Sequence, residues 1–459
     1  MNKKELAKNI ISAAAAILLW ELVSLAVGNN LLLASPVSVI KRLFELCSEA
    51  DFFTTVFFSL LRIAGGFAAA FLLGSLCALA AGRFPLAETL LKPYVACIKA
   101  VPVASFIILC LIWFSFELLT VFIAFLIAFP VIYSNILRGI KSIPENMREL
   151  ALCYDIKGFR KFRYIIMPSL RPFTLSACSV GAGMAWKAGI AAEVIGVTDG
   201  SIGEKLYEAK IYFSNPDLLA WTLVIVILSV VLEKIICALI AAVFNFNSRF
   251  CPDIHNKKTA PPPKPGEIVF NSVNKSFGEK SVLCDFNCRI KPGETLFVTG
   301  VSGGGKTTLA RLIAGLAQPD GGSIEGTGQS VSFMFQEDRL FEDFSAVSNI
   351  RAVTGNIMTN AELCAVLTEL GLGDSLAKPV KNLSGGMRRR VSLIRALCRP
   401  SQILLLDEPY KGLDAAAKQS AEKAVEKLSG GRTVIIITHD FSDIKGRRFI
   451  TAPGEITAG

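Results

Sequence analysis

The 459-residue chain carries 48 Lys and Arg against 38 Asp and Glu, a formal net charge of +10, with a mean hydropathy of +0.51. That length has room for two or three domains, and a 52% apolar content excludes an ordinary soluble protein and points to membrane insertion. Residues 267–459 hold 23 basic and 21 acidic side chains, so +8 of the excess lies in the first 266, where it sets membrane orientation and gives no nucleic-acid surface.

The chain opens Met1-Asn2-Lys3-Lys4 and turns apolar from Ile10 without a convincing cleavage site, which predicts a retained first span. Apolar segments long enough to cross a bilayer follow, giving six expected spans at roughly 10–27, 56–81, 95–114, 117–137, 174–196 and 218–244. Pro102 and Pro130 interrupt two of them, which a helical bundle tolerates. From Arg138 to Arg171 there are eight basic and three acidic residues, and from Val197 to Asp217 two basic and four acidic. The first loop is therefore expected in the cytoplasm and the second outside, with both termini cytoplasmic in a multi-pass protein of the cytoplasmic (inner) membrane.

In the first of these loops stand Glu149-Leu150-Ala151, then Asp155, Gly158, Phe162 and Pro168. This spacing resembles the EAA loop of ATP-binding-cassette (ABC) importer permeases, which implies a short helix that docks on an ATPase near Gln336 and transmits its closure as rigid-body motion. The family pattern has Gly where this chain has Asp155, one of the few residues that tolerate positive φ. An amphipathic helix lying on lipid headgroups through Arg160, Lys161 and Arg163 is the other reading. Leu33-Ala34-Ser35-Pro36, Lys99-Ala100-Val101-Pro102, Trp113-Phe114, the stretch Ala185–Glu193 and Gly200-Ser201-Ile202-Gly203 are similar to the nitrate/sulfonate/taurine-type permeases, a group that also serves thiamine-precursor pyrimidines. Lys187 and Glu193 are ionisable groups inside the fifth expected span, six residues apart and so on different helix faces. Either lines a solute pathway, with Lys187 facing an anion, or serves packing between helices.

Asn247–Gly266, with Ala260-Pro261-Pro262-Pro263-Lys264-Pro265, reads as an extended, semi-rigid connector. It separates a membrane domain at 1–246 from a second domain at 267–459.

The second domain begins its chemistry at Gly300-Val301-Ser302-Gly303-Gly304-Gly305-Lys306-Thr307-Thr308, after the apolar run Thr295–Thr299. Glycines there turn backbone N–H groups toward β- and γ-phosphates, Lys306 neutralises them and Thr307 reaches Mg²⁺. Leu383-Ser384-Gly385-Gly386-Met387 comes next, then Ile403–Leu406 running into Asp407-Glu408, then His439 after Thr433–Thr438. A buried strand ending in two acids delivers Asp407 to the metal and Glu408 to an attacking water. This motif order resembles the ABC ATPases over nearly all of 267–459. The resemblance implies that Phe277 stacks on adenine, that Gln336 senses the γ-phosphate and Mg²⁺, that His439 positions the terminal phosphate, and that Ser384, Gly385 and Gly386 reach ATP. Met387 stands where the family usually has Gln.

The Arg388-Arg389-Arg390 run reads as a solvated helix face. Twelve cysteines without a CxxC pair and only two histidines indicate neither a disulfide framework nor a zinc site; Cys284 and Cys288, four apart on an expected strand, share one face as buried thiols.

The expected architecture is an α-helical membrane bundle of six helices, type I importer-like, followed by an α/β P-loop ATPase of the ABC type. Its cofactors are ATP and Mg²⁺. The leading function is an ATP-driven importer of a small, anionic, nitrate/sulfonate/taurine-like solute. Its partners are a second copy of the chain, because ABC sites form between two cassettes, together with an extracytoplasmic solute-binding protein and the lipid around it. An exporter half-transporter and a membrane-anchored mechanical or signalling ATPase remain the alternatives. About twenty residues follow His439, so no C-terminal regulatory domain is expected.

Overall fold

Apolar runs bounded by proline and capping residues fold into helices in the first half. The computed structural model describes residues 3–29, 32–249, 264–278, 280–301, 303–355, 357–439 and 449–451. Helices α1 (Lys3–Val27), α2 (Pro36–Ser48), α3 (Phe52–Arg83), α4 (Pro85–Ala100), α5 (Val103–Cys110) and α6 (Phe116–Lys141) lead to α7 (Glu145–Cys153) and α8 (Gly158–Lys161), and then to α9 (Met167–Gly196), α10 (Ile202–Ile211) and α11 (Asn215–Arg249). The chain divides into two units, one made of 1–142 with 169–243 and the other of 143–168 with 244–459.

In the membrane-type unit the six expected spans differ among themselves. Among the described residues, α3, α6 and α11 are each long and apolar enough to cross a membrane, and α4 with α5 adds a fourth only if the bent pair counts as one. The expected third span, 95–114, is thus two helices meeting at 100°. Pro102 forces the cause: it lacks an amide hydrogen and disfavours helical backbone at Val101, and both residues are extended. Pro130, by contrast, lies within an unbroken α6. Among the described residues, α1 contributes the shorter apolar stretch Ala14–Val27. Helix α9 runs 30 residues but is diluted by glycine, serine and Lys187, because much of it packs against protein rather than lipid.

Close helix contact in this unit depends on small residues. A Cβ at Gly66 of α3 would stand 2.3 Å from the Val121 carbonyl oxygen of α6, and one at Gly74 would meet Ile132 at 3.2 Å. Glycines eight residues apart thus let α3 lie directly on α6.

The second unit begins with an antiparallel sheet of order β2-β1-β4, formed by β1 (Ile268–Phe277), β2 (Lys280–Ile290) and β4 (Gly321–Glu325). Register shifts along β1 and β2 and a positive φ at Asp285 place both Cys284 and Asp285 on the exposed side, so Cys288 is buried and Cys284 is not. The bulge breaks the two-residue period that would put both thiols on one face.

A parallel sheet of order β5-β6-β7-β3-β8 forms the centre, with β3 (Thr295–Thr299), β5 (Val331–Met334), β6 (Ile403–Asp407), β7 (Thr433–Ile437) and β8 (Phe449–Thr451). Strands β6 and β7 are buried along their whole length, as runs of Ile, Leu and Val covered on both faces require. Around it lie α12 (Lys306–Ile313), α13 (Ala346–Thr354), α14 (Asn360–Glu369), α15 (Gly385–Cys398) and α16 (Ala415–Leu428). Most of the expected connector lies outside the described residues. Its first residues, from Asn247, continue α11, where Asn247 and Arg163 exchange side-chain-to-carbonyl bonds at 3.3 Å.

Replacing Gly66 with Ala must push α3 off α6 and is expected to destabilise the unit by about 1–3 kcal/mol. The neighbouring Gly65, whose added Cβ meets nothing within 4 Å, is the control. Heating the detergent-solubilised protein and following the monodisperse peak should lower the midpoint for Gly66→Ala only.

Candidate functional site

The C-terminal ends of the central strands converge on one cleft of about 290 Å³, the place where parallel sheets assemble sites. After β3 the loop reaches Gly305, which caps α12 at φ +89°, and a Cβ there would stand 2.9 Å from Val282. Only glycine fits. Lys306, at the first turn of α12, donates to the carbonyl oxygens of Gly300 (2.8 Å) and Val301 (2.7 Å) and so stays at the centre of the loop. Burial lowers its pKa, opposed by the carboxylates of Glu408 and Asp407. Gly303, Gly305, Thr307 and Thr308 line the cleft. Gly304 lies between them, and Ser302 lies outside the described residues.

Opposite stand the two acids. Thr307 Oγ1 donates to Asp407 Oδ2 at 3.2 Å at the end of β6. Burial pushes the Asp407 carboxyl up to about 6, so its anionic form calls for a cation. Thr307, Asp407 and Gln336 all line the cleft and offer oxygen ligands, a set that fits Mg²⁺. Glu408 is held at φ +50°, a conformation costly for a non-glycine residue. Its carboxylate meets Lys411 at 2.7 Å and His439 Nε2 at 3.1 Å. Burial works against that carboxylate, but the hydrogen bonds from Lys411 and Gln336 and the nearby His439 bring its pKa below the ordinary value. Phe277, 54% exposed, stands at the mouth with Lys275 5.5 Å from its ring centroid.

Chemically, an N-terminal helix loop, a central ammonium, a buried acid for a cation and an ionised carboxylate beside an imidazole suit hydrolysis of a polyphosphate. Ser384, Gly385 and Gly386 are not brought into this cleft. They cap α15 at the surface, where Ser384 Oγ accepts from the Met387 N–H.

The loop 143–168 belongs to the same unit. Leu150, Ala151, Tyr154, Ile156, Tyr164 and Ile165 are buried in a core shared with β1, β3 and α12. The Glu149 carboxylate bonds to Arg311 of α12 through one oxygen and to Arg339 through the other, the latter at 2.8 Å. Tyr154 donates its hydroxyl to the Phe333 carbonyl at 2.9 Å. Asp155 and Gly158 take positive φ, Phe162 opens a π-helical turn and Pro168 sits at the start of α9.

In the other unit Lys187 is exposed on α9. Glu193 is fully buried; its Oε2 accepts from Ser59 Oγ (2.8 Å) and the Gly203 N–H (3.3 Å). That arrangement ties α3, α9 and α10 together.

Several partners escaped the sequence reading. The arginine run is not a solvated face: Arg389 is 6% exposed, and Arg390 donates to the Leu370 carbonyl at 2.6 Å. The signal was present, since Arg389, Leu393 and Ala396 share the apolar stripe of α15. Arg311, Arg339 and Lys411 are long-range or loop partners for which no periodicity speaks.

Two family models match this chain: "ABC transporter" over residues 283–411 and "Binding-protein-dependent transport system inner membrane component" over 70–248. Three similar proteins are each called aliphatic sulfonates import ATP-binding protein SsuB. The one from Albidiferax ferrireducens is 36% identical over 185 residues, 38% of this chain and 66% of its own length, just short of two thirds. That of Rhodococcus jostii is 36% identical over 37% of this chain and 72% of its own, and that of Xanthomonas axonopodis pv. citri 33% over 38% and 76%. A solved dimeric ATP-binding cassette in a post-hydrolysis state with ADP and Pi is 25% identical over 40% of this chain and 94% of its own, with a TM-score of 0.38.

With its pKa near 6 against an unfolded value of about 3.9, Asp407 favours folding below the lower value, and this contribution is lost as pH rises through the higher one. Cation binding needs the carboxylate. The Mg²⁺ concentration required for half-maximal binding of a fluorescent ATP analogue should therefore rise steeply below about pH 6, approaching tenfold per unit. Asp407→Asn should bind Mg²⁺ weakly and keep only the shallower slope set by protonation of the nucleotide's own terminal phosphate, whose second pKa is about 6. Equal slopes in the two proteins would contradict the role of Asp407.

Proposed function

The chain belongs to the ATP-binding-cassette transporters, with a binding-protein-dependent importer permease and its ATPase in one polypeptide, and we propose that it takes up a small anionic solute of the sulfonate class. The observation that carries the importer reading is the packing of 143–168 into the ATPase core, with Glu149 held by Arg311 and Arg339. A segment covalently continuous with α6 and α9 thereby contacts both the helix that follows the phosphate loop and the segment that follows Gln336. The substrate class follows from the sulfonate importers to which the ATPase is similar.

In the proposed mechanism Phe277 stacks on adenine, and Lys306 with the N–H groups of 300–308 holds the phosphates. Thr307, Asp407 and Gln336 would hold Mg²⁺, which offsets charge on the β- and γ-phosphates. Glu408 orients the attacking water and accepts its proton; His439 steadies the Glu408 carboxylate and the terminal phosphate. Ser384–Gly386 complete the site of a second copy, because they face the surface of their own chain. An extracytoplasmic binding protein supplies the solute, and both termini lie in the cytoplasm.

Glu408→Gln should bind ATP with affinity within about threefold of wild type while turnover falls at least about a hundredfold. Proteoliposomes holding the full chain, with a sulfonate-binding protein outside and ATP inside, should accumulate a labelled alkanesulfonate, and Glu408→Gln should not. Uptake without a binding protein, or transport outward, would favour another transporter class; near-normal turnover by Glu408→Gln would defeat the catalytic assignment.

A further inference from the structure

Arg389 is buried, and its terminal nitrogens reach two walls of the cleft. Nη1 donates to the carbonyl oxygens of Phe335 (3.1 Å) and Gln336 (2.9 Å) and to Asp338 Oδ1 (3.1 Å). Nη2 donates to the carbonyl oxygens of Asp407 (2.5 Å) and Glu408 (2.7 Å). The guanidinium therefore touches no group assigned to nucleotide. It holds the peptide units that carry Gln336, Asp407 and Glu408.

Those peptide units need holding. Glu408 adopts φ +50°, which costs about 1–3 kcal/mol for a non-glycine residue and persists only where its surroundings fix it. Its N–H donates to the Ile437 carbonyl at 2.9 Å on one side, and Arg389 takes its carbonyl on the other. A planar fork with five donors is suited to several fixed acceptors at once, whereas a lysine gathers its donors on one nitrogen. The same helix extends α15 outward to Ser384 at its surface end. Ser392 Oγ and Arg395 Nη2, further along it, also donate to the Asp338 carbonyl, at 3.2 and 3.0 Å.

We infer that Arg389 is a positioning residue for ATP hydrolysis, one that fixes the Glu408 and Gln336 backbones to each other and to the helix whose Ser384 end meets the second copy. The inference rests on Glu408 being the catalytic carboxylate. It assigns to Arg389 a selective effect on turnover, because Phe277 and Lys306 lie on elements that it does not touch. Through α15, engagement of Ser384–Gly386 by one nucleotide is linked to the carboxylate serving the other.

The experiment measures kcat and KM for ATP, fluorescent ATP-analogue binding and thermal unfolding in full-length Arg389→Met, Arg389→Lys and Glu408→Gln. Arg389→Met should lower kcat at least about tenfold with KM and analogue affinity within about twofold, and Arg389→Lys should recover part of the loss. Because Arg389→Met leaves Asp338 without its buried partner, the double variant Asp338→Asn/Arg389→Met removes both charges and should give the same split between kcat and KM. Wild-type kcat in both methionine variants, with Glu408→Gln inactive, overturns the inference and leaves the catalytic assignment standing. A parallel fall of kcat, nucleotide affinity and unfolding temperature in both also overturns it, since Arg389 would then only stabilise the fold. Normal turnover in Glu408→Gln overturns both.

Discussion

One carboxylate shared by two guanidinium groups seats the loop 143–168 in the ATPase unit. Glu149 is buried and bonded to Arg311 and Arg339; Arg339 also lies 3.8 Å from the Phe335 ring centroid. Taking a carboxylate out of water is costly unless it is paired and hydrogen-bonded; removing the partner of a buried pair costs about 3–5 kcal/mol, a figure for Arg339, 11% exposed, and smaller for Arg311, 35% exposed. The loop can therefore leave its seat only by breaking both pairs, exposing Leu150 and Ile165, each worth about 1.5–3 kcal/mol of apolar burial, and giving up the Tyr154 hydrogen bond.

Arg311 stands in the same two-turn helix as Lys306 and Thr307, and Arg339 three residues past Gln336. A displacement of Glu149 therefore reaches the phosphate loop through α12 and the Gln336 segment through Arg339. Tyr154 adds a third connection, since its hydroxyl bonds to Phe333 in β5 and its ring lies 5.6 Å from Arg395 of α15. Short, buried contacts thus join the loop to the phosphate-loop helix, to the Gln336 segment and to β5 and α15.

Much of this was legible in the sequence because it is local. The phosphate loop is dictated by glycine spacing, and Asp407 by a hydrophobic strand that ends in two acids at the cleft; the Glu149–Pro168 loop is marked by its resemblance to the loop of importer permeases. What escaped depends on distance in sequence or on interruption of a period. Arg311 and Arg339 lie 162 and 190 residues from Glu149, and no pattern links them. Cys284 leaves the face of Cys288 because one bulge resets the alternation. Arg389 was masked by its neighbours: three arginines in a row look like a solvated surface, although the apolar stripe of α15 runs through the middle one. In the membrane unit, composition marks where apolar chain lies but not that Pro102 turns one expected span into two helices at 100°.

The clamp is tested most directly by a double-mutant cycle between Glu149 and Arg311, read as solute taken up per ATP hydrolysed in proteoliposomes supplied with the binding protein. If the pair transmits the stroke, Glu149→Gln and Arg311→Gln each lower that ratio, and the double variant is no worse than the more severe single one, because each substitution breaks the same contact. Losses that multiply in the double variant, or a ratio unchanged in both single ones, would contradict a coupling that runs through this carboxylate.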